Sequence, residues 1–304
     1  MDTLRDLKLY FEPDYAIEAL RKGIDLETDG FVNNKFTTDK IAFHCYWYGK
    51  LGRKQIFSIK SFLCTQNLER CRLILWLDAY NGYEFHTQNP LLQPILNQIE
   101  VKAYDPIAEI EDTPWENHSA IVDRPYNSPK RSDAFRYLIL YKYGGVYFDL
   151  DIMFLEDFGQ ILSKEFCYAW ETEPYANSAV FYFKPESVIS EYLLFKVIAV
   201  KTVIPMGILN YSDYNLKNLF VFPCAFFDPL WQGLSLSNIP FNEDIKFFTP
   251  FSDEFKNHLN IDSFKDFFPG CYTFHWHNQW NTQEFENSFF AMFDLEFNKI
   301  LKIS

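Results

Sequence analysis

Apolar positions recur along this chain with two periods, and the switches between them mark its elements. The run Ile41-Ala-Phe-His-Cys-Tyr-Trp-Tyr-Gly49 predicts a first core strand, ended by Gly49. From Arg53 to Asn67 the residues Ile56, Ile59, Phe62 and Leu63 fall at helical spacing. Arg72 to Asp78 is again a continuous apolar run of strand length. This strand–helix–strand order predicts an α/β domain with a parallel sheet. Pro90 to Asn97 reads as a short helix and Ile99 to Tyr104 as another strand. Residues 105 to 130 hold four prolines and no steady period. A loop of that length is either a flap over a bound ligand or an ordinary surface excursion.

The next stretch organises the rest. Ala134 to Tyr143 is apolar on nearly all sides, which predicts a buried helix. Ser132 is placed as its N-cap, with Asp133 in the first turn beside the positive end of the helix dipole. Gly144 and Gly145 end the helix. The period then changes to two, so Val146, Phe148, Leu150 and Ile152 share one strand face and Tyr147, Asp149 and Asp151 the other. Strand residues two apart lie roughly 6.6 Å apart on one side, so both carboxylates can converge on one cation. Oxygen ligands of this kind suit Mg²⁺ or Mn²⁺, ions that commonly hold substrate phosphates. Two solvated aspartates at a strand end are the plain alternative. Against it stand the otherwise apolar strand and the pair Asp133 and Arg136, three apart on one helix face.

Beyond this point Phe166 to Trp170 and Ala176 to Phe183 read as strands, the second opened by Asn177. Ser187 to Val203 is an amphipathic helix with Ile189, Tyr192, Leu193, Val197 and Ile198 inward. Tyr272-Thr-Phe-His-Trp-His-Asn-Gln-Trp280 holds two histidines two apart between aromatics. One imidazole there can join the aspartates on a cation, or the segment is an aromatic cluster with a satisfied histidine. Ser288 to Ile303 is a helix that packs on the core or meets a membrane surface. Residues 1 to 38 form an N-terminal helical appendage by this reading, and 39 to 304 a single catalytic domain.

Composition narrows the function classes. With 48% hydrophobic residues and 33 Phe the chain can bury a large core, which excludes a disordered protein. Its 28 basic and 41 acidic side chains leave a formal charge of −13, which disfavours nucleic acid as a partner. The same field admits a nucleotide beside a divalent cation. Six cysteines form no CxxC pair, so a structural zinc is not expected and the thiols read as buried and reduced. No signal peptide opens the chain and no apolar run reaches 18 residues. The expected setting is a soluble protein of the cytoplasm, with peripheral contact at the inner face of the membrane left open.

Ser132-Asp-Ala-Phe-Arg136 followed by Tyr143-Gly-Gly-Val-Tyr-Phe-Asp-Leu-Asp151 resembles the signature of the sugar-transferase family with the DxD motif. That family includes yeast-type α-mannosyltransferases, α-1,4-galactosyltransferases and capsular polysaccharide glycosyltransferases, with clostridial toxin glucosyltransferase domains more distant. The resemblance is close over residues 131 to 154 and fainter on both sides. It implies the GT-A fold, a mostly parallel twisted sheet flanked by helices. It also implies transfer from a nucleotide sugar, UDP-sugar favoured, to a saccharide or lipid-linked saccharide acceptor, with retention of configuration. By the same resemblance, Asp149 and Asp151 hold Mn²⁺ or Mg²⁺ on the diphosphate, and Asp133 and Arg136 contact the donor sugar and ribose. Tyr46 and Trp47 lie by the nucleotide base, and Asn177 lies near the transferred sugar. A C-terminal His–Trp segment completes the metal shell through His275, His277 or Asn278. The sequence departs from the family in having Gln279 where a Ser is usual. Tyr147, on the aspartate face of its strand, lines the same site.

The expected activity is thus a metal-dependent glycosyltransferase, with surface polysaccharide synthesis as its natural pathway. Two readings stand beside it. One is a glycoside hydrolase, whose two carboxylates flank the bond at about 5 Å or 6.5–9.5 Å without a metal. The other is a catalytically inactive carbohydrate-binding protein.

Overall fold

Gly144 and Gly145 bring the two halves of the main sheet together, and the fold is most simply described from them. The computed structural model describes residues 40–78, 89–125, 128–170, 173–230, 247–251 and 261–303. The predicted N-terminal appendage lies outside these residues.

Nine strands are described: β1 (Ile41–Trp47), β2 (Cys71–Asp78), β3 (Glu100–Tyr104), β4 (Gly145–Phe148), β5 (Ile152–Phe154), β6 (Phe166–Ala169), β7 (Ala176–Phe183), β8 (Phe220–Phe222) and β9 (Thr273–His275). Seven of them form one sheet in the order β3-β2-β1-β4-β7-β6-β8, while β5 and β9 pair separately. The half β3-β2-β1-β4 is parallel. Strand β7 runs antiparallel to both β4 and β6, and β8 returns parallel to β6. This is the mostly parallel α/β sheet that the alternating periods predict.

Helix α1 (Arg53–Thr65) covers one face of the sheet, and α2 (Pro129–Tyr143) and α3 (Val188–Val200) cover the other. Strand β1 shows the division. Phe43 and Cys45 face α1, while Ala42 and Tyr46 face α2. A third cluster lies outside α1, where Phe57 joins Met153 and Phe274 of the small sheet, the adjoining Trp276 and the phenylalanines of α4 (Phe289–Leu301). Much of the chain's phenylalanine is used here, and each buried ring is worth roughly 2–3 kcal/mol of transfer free energy. Helix α4 buries Phe289, Phe290, Phe293 and Phe297, so its core-packing reading is the observed one.

At the centre, Gly144 caps α2 with φ +62° and Gly145 follows at φ +98°. A Cβ on Gly145 would stand 2.1 Å from the Ala42 carbonyl oxygen, so β4 can pair with β1 only through glycine here. His44 is fully buried beneath the turn. Its Nδ1 accepts from Trp76 Nε1 (3.1 Å), so Nε2 carries the proton toward the Gly144 carbonyl (3.0 Å). Burial lowers its pKa to about 3, against the opposing pull of that carbonyl.

Three expectations need correction. Helix α2 begins one turn earlier than Ser132, at Pro129, because proline is preorganised for the first helical position. Ser132 is therefore inside the helix. The strand read through Asp151 ends at Phe148, and Asp149 to Asp151 form a turn between β4 and β5, which belong to different sheets. Buried Leu150 and Ile152 carried the period across the break. Pro90 to Asn97 holds a tighter 3₁₀ turn at Gln93–Gln98. In the loop of 105 to 130, Trp115 is fully buried and donates to the Leu194 carbonyl (2.9 Å), which ties its middle to α3. The six cysteines form no disulfide, and all but Cys64 are buried.

Candidate active site at the carboxylate turn

The turn after β4 delivers Asp149 and Asp151 to two different sets of partners. Asp149 N still donates to Ala179 O (2.8 Å) on β7, so its position is the last pairing of the main sheet. Asp149 Oδ1 accepts from Tyr147 Oη at 2.5 Å and from Arg136 Nη2 at 3.1 Å, and Oδ2 lies 3.4 Å from Arg136 Nη1. Arg136 in turn donates to Ser178 O (2.7 Å) and Ser178 Oγ (2.6 Å), and its guanidinium lies 4.6 Å from the centre of the Tyr147 ring. Asp133 stands 3.4 Å from the same guanidinium, as the three-residue spacing predicts. Ser132 Oγ accepts from Arg136 Nη2 (3.1 Å) and lies 3.1 Å from Tyr147 Oη. Dehydrated surroundings push Asp149 up to about 6, Arg136 pulls it down, and Asp151 adds to the rise. Burial likewise raises Asp133, although Arg136 opposes it.

Asp151 belongs to the small sheet. In the antiparallel register of β5 and β9, Ile152 faces His275, and Trp276 N donates to Asp151 O (3.1 Å). His275 Nε2 thereby lies 3.3 Å from Asp151 Oδ2, with both side chains under 8% exposed. The same Oδ2 accepts from Asn278 N at 2.7 Å. His277 and Asn278 adopt φ +48° and +55°, an uncommon left-handed pair that turns this amide onto the carboxylate. On the far side of His275 stands Asp228, 1% exposed, with Oδ2 3.5 Å from His275 Nδ1 and 2.8 Å from His277 Nε2. The two imidazoles stack with centroids 4.0 Å apart. Burial alone would raise both aspartates and lower His275. The histidines instead hold Asp151 and Asp228 down, and the two carboxylates hold His275 well above its ordinary range.

The remaining sequence-predicted positions separate. Trp47, at the end of β1, packs on Trp280 (4.8 Å) and Tyr48 (5.9 Å), which ties it to the segment carrying Asn278. Tyr46 points to the other face, where its hydroxyl donates to Asp78 (2.7 Å) and its ring stacks on Phe135 (4.9 Å). Asp78 also pairs with Arg131 at 2.7 Å, so Tyr46 serves a buried ion pair at the strand ends. Asn177 is buried and accepts from Ala179 N through its own Oδ1 (2.8 Å).

Three site residues escape a reading of the sequence. Ser178 gives no signal beyond adjoining Asn177. Asp228 follows the aromatic run Phe226-Phe227 and precedes Pro229, which marks a strand end and nothing more. Lys54 lies in the first turn of α1, and its buried ammonium donates to the carbonyls of Trp280 (3.2 Å) and Thr282 (2.7 Å) and to that of Gln279, over the Phe248 ring (4.0 Å). It clasps the segment that follows Asn278.

The donor set fits a divalent cation. Asp149, held by Arg136, and Asp151, beside His275, offer carboxylate oxygens and an imidazole nitrogen of the kind that suit Mn²⁺. Among the described residues, Asp228, His275 and His277 also bring their ligating atoms within 4.8 Å of one another.

Residues 60–167, from within α1 to the middle of β6, match the family described as glycosyltransferase sugar-binding region containing DXD motif. No curated protein matches the chain. Among solved structures it is similar to the WbbM bifunctional glycosyltransferase (TM-score 0.50, 12% identity, 89% of this chain and 51% of that one). It is also similar to GlyE of Streptococcus pneumoniae TIGR4 (0.48, 14%, 86% and 62%) and to the PaToxG glycosyltransferase (0.46, 16%, 69% and 79%). The chain spans about half the length of the first and less than two thirds of the second. At 12% identity the likeness to WbbM speaks to the fold alone, which is of the GT-A type. Among the described residues no helix is long and apolar enough to cross a membrane.

Proposed function

We propose that this chain, whose residues 60–167 match the glycosyltransferase sugar-binding region containing DXD motif, is a metal-dependent glycosyltransferase. It moves a sugar from a nucleotide-sugar donor, UDP-sugar favoured, to a saccharide acceptor with retention of configuration, in surface polysaccharide synthesis. The observation that supports it most is the carboxylate turn, where Asp149 and Asp151 emerge together from the sheet, backed by Arg136 and His275.

Asp149, Asp151 and His275 would hold Mn²⁺ or Mg²⁺. The cation, when bound, offsets the negative charge that builds on the departing diphosphate. Arg136, braced by Ser178 and Tyr147, keeps Asp149 in place and ionised despite its raised pKa. Asp133, on the same helix face, is the group that reads donor hydroxyls. Trp47 and Trp280 form the aromatic wall against which a base can stack.

Thermal stabilisation by a panel of UDP- and GDP-sugars, with and without Mn²⁺, tests the reading. One nucleotide sugar should raise the melting temperature only with metal, and Asp151→Asn should abolish the effect. Stabilisation by free saccharide without nucleotide or metal would instead support a carbohydrate-binding protein or a hydrolase.

A further inference from the structure

We infer that Asp228 is the positioning residue of the cation site, and that it decides which of the two neighbouring histidines supplies the nitrogen ligand. The inference rests on the metal-dependent reading above and deepens it.

His275 stands between two buried carboxylates. Its Nε2 lies 3.3 Å from Asp151 Oδ2, the spacing of two ligands that share one ion at about 2.0–2.2 Å from each. Its Nδ1 faces Asp228 Oδ2 at 3.5 Å. A ligating imidazole ordinarily directs its second nitrogen at a carboxylate, which sets both tautomer and ring angle. Asp228 is so placed. It is held by its own chain, since the turn at Cys224–Phe226 immediately precedes it and the Asp228 amide donates to Cys224 O (2.8 Å). Its carboxylate is 1% exposed, so it cannot swing away to solvent.

His277 is the competitor, two residues on and stacked against His275. Its Nε2 contacts both Asp228 oxygens, at 2.8 and 3.0 Å. That nitrogen is committed to Asp228, so one carboxylate both aims His275 at Asp151 and withholds His277.

Mn²⁺ alone serves as the probe, with its binding titrated by electron paramagnetic resonance and nitrogen coupling read from the bound ion. The wild type should bind Mn²⁺ with imidazole nitrogen coupling. His275→Ala should lose that coupling, and His277→Gln should keep it. Asp228→Asn should bind Mn²⁺ roughly 10–100-fold more weakly, the usual effect of removing an orienting carboxylate. Coupling lost in His277→Gln and kept in His275→Ala overturns the inference while leaving metal dependence intact. So does wild-type affinity in folded Asp228→Asn. If Asp228→Asn does not fold, the two histidine variants still decide which nitrogen binds. Absence of Mn²⁺ binding by the wild type overturns both this inference and the reading beneath it.

Discussion

Asp149 and Asp151 are two residues apart, yet the regions that hold them are built in opposite ways. The side-chain partners of Asp149 come from α2 and β4, within the stretch Ser132 to Asp149, while Ser178 braces Arg136 and Ala179 accepts from the Asp149 amide. The partners of Asp151 come from the far end of the chain, Asn278 and His275, with Asp228 behind. A local region is set once α2 and β4 fold against each other. A remote one depends on the whole third core, because the small sheet forms only when β9 returns to β5. The proposed cation site would lie at their seam, so each region should be separable by mutation.

The sharpest break is Arg136→Met. It leaves Asp149 without its guanidinium in dehydrated surroundings, and removal of one partner of a buried ion pair costs about 3–5 kcal/mol. Urea unfolding should show that loss, and a variant within about 1 kcal/mol of wild type would refute the role given to Arg136. Acidification tests the root of the local region. His44 has a folded pKa of about 3 against an ordinary 6.5, so between those values the unfolded chain binds the extra proton. Its contribution is intact above pH 6.5 and is lost as pH falls, by up to about 1.4 kcal/mol per pH unit. His44→Asn should flatten the fall in stability between pH 6.5 and 4.5, and an unchanged slope would remove His44 as its source.

On the remote side, Lys54→Met removes the donor to three carbonyls and should cost about 2 kcal/mol. It should also weaken Mn²⁺ binding, since the clasped segment carries Asn278. Lys54→Met with wild-type Mn²⁺ affinity would show that the two regions are less dependent on distant packing than their construction implies. The smallest expected effect is Ser178→Ala, about 1–2 kcal/mol for one lost bond to a charged group. Its measurement by thermal melting separates the oxygen Ser178 supplies from its side chain from the one it supplies from its backbone.

Much of this was legible from residues alone. The parallel half of the sheet follows from continuous apolar runs alternating with helical spacing, and the two glycines follow from a helix that stops against a strand. Asp133, Arg136, Tyr147 and Asp149 could be grouped because helix and strand periods fix which neighbours share a face. The run of period two through Ile152 failed at Asp149, since alternation reports burial and not which sheet a strand joins. Choosing between His275 and His277 was beyond any spacing rule, because the choice rests on Asp228, 47 residues before His275 and without a motif of its own.

The periods, the glycine turn and the pair of carboxylates follow from residue order, since all depend on neighbours within a few positions. What each carboxylate faces follows instead from the assembled fold. Long-range antiparallel pairing of β5 with β9, and the burial of Asp228 and Lys54 beneath it, arise from packing between segments whose meeting no local preference encodes.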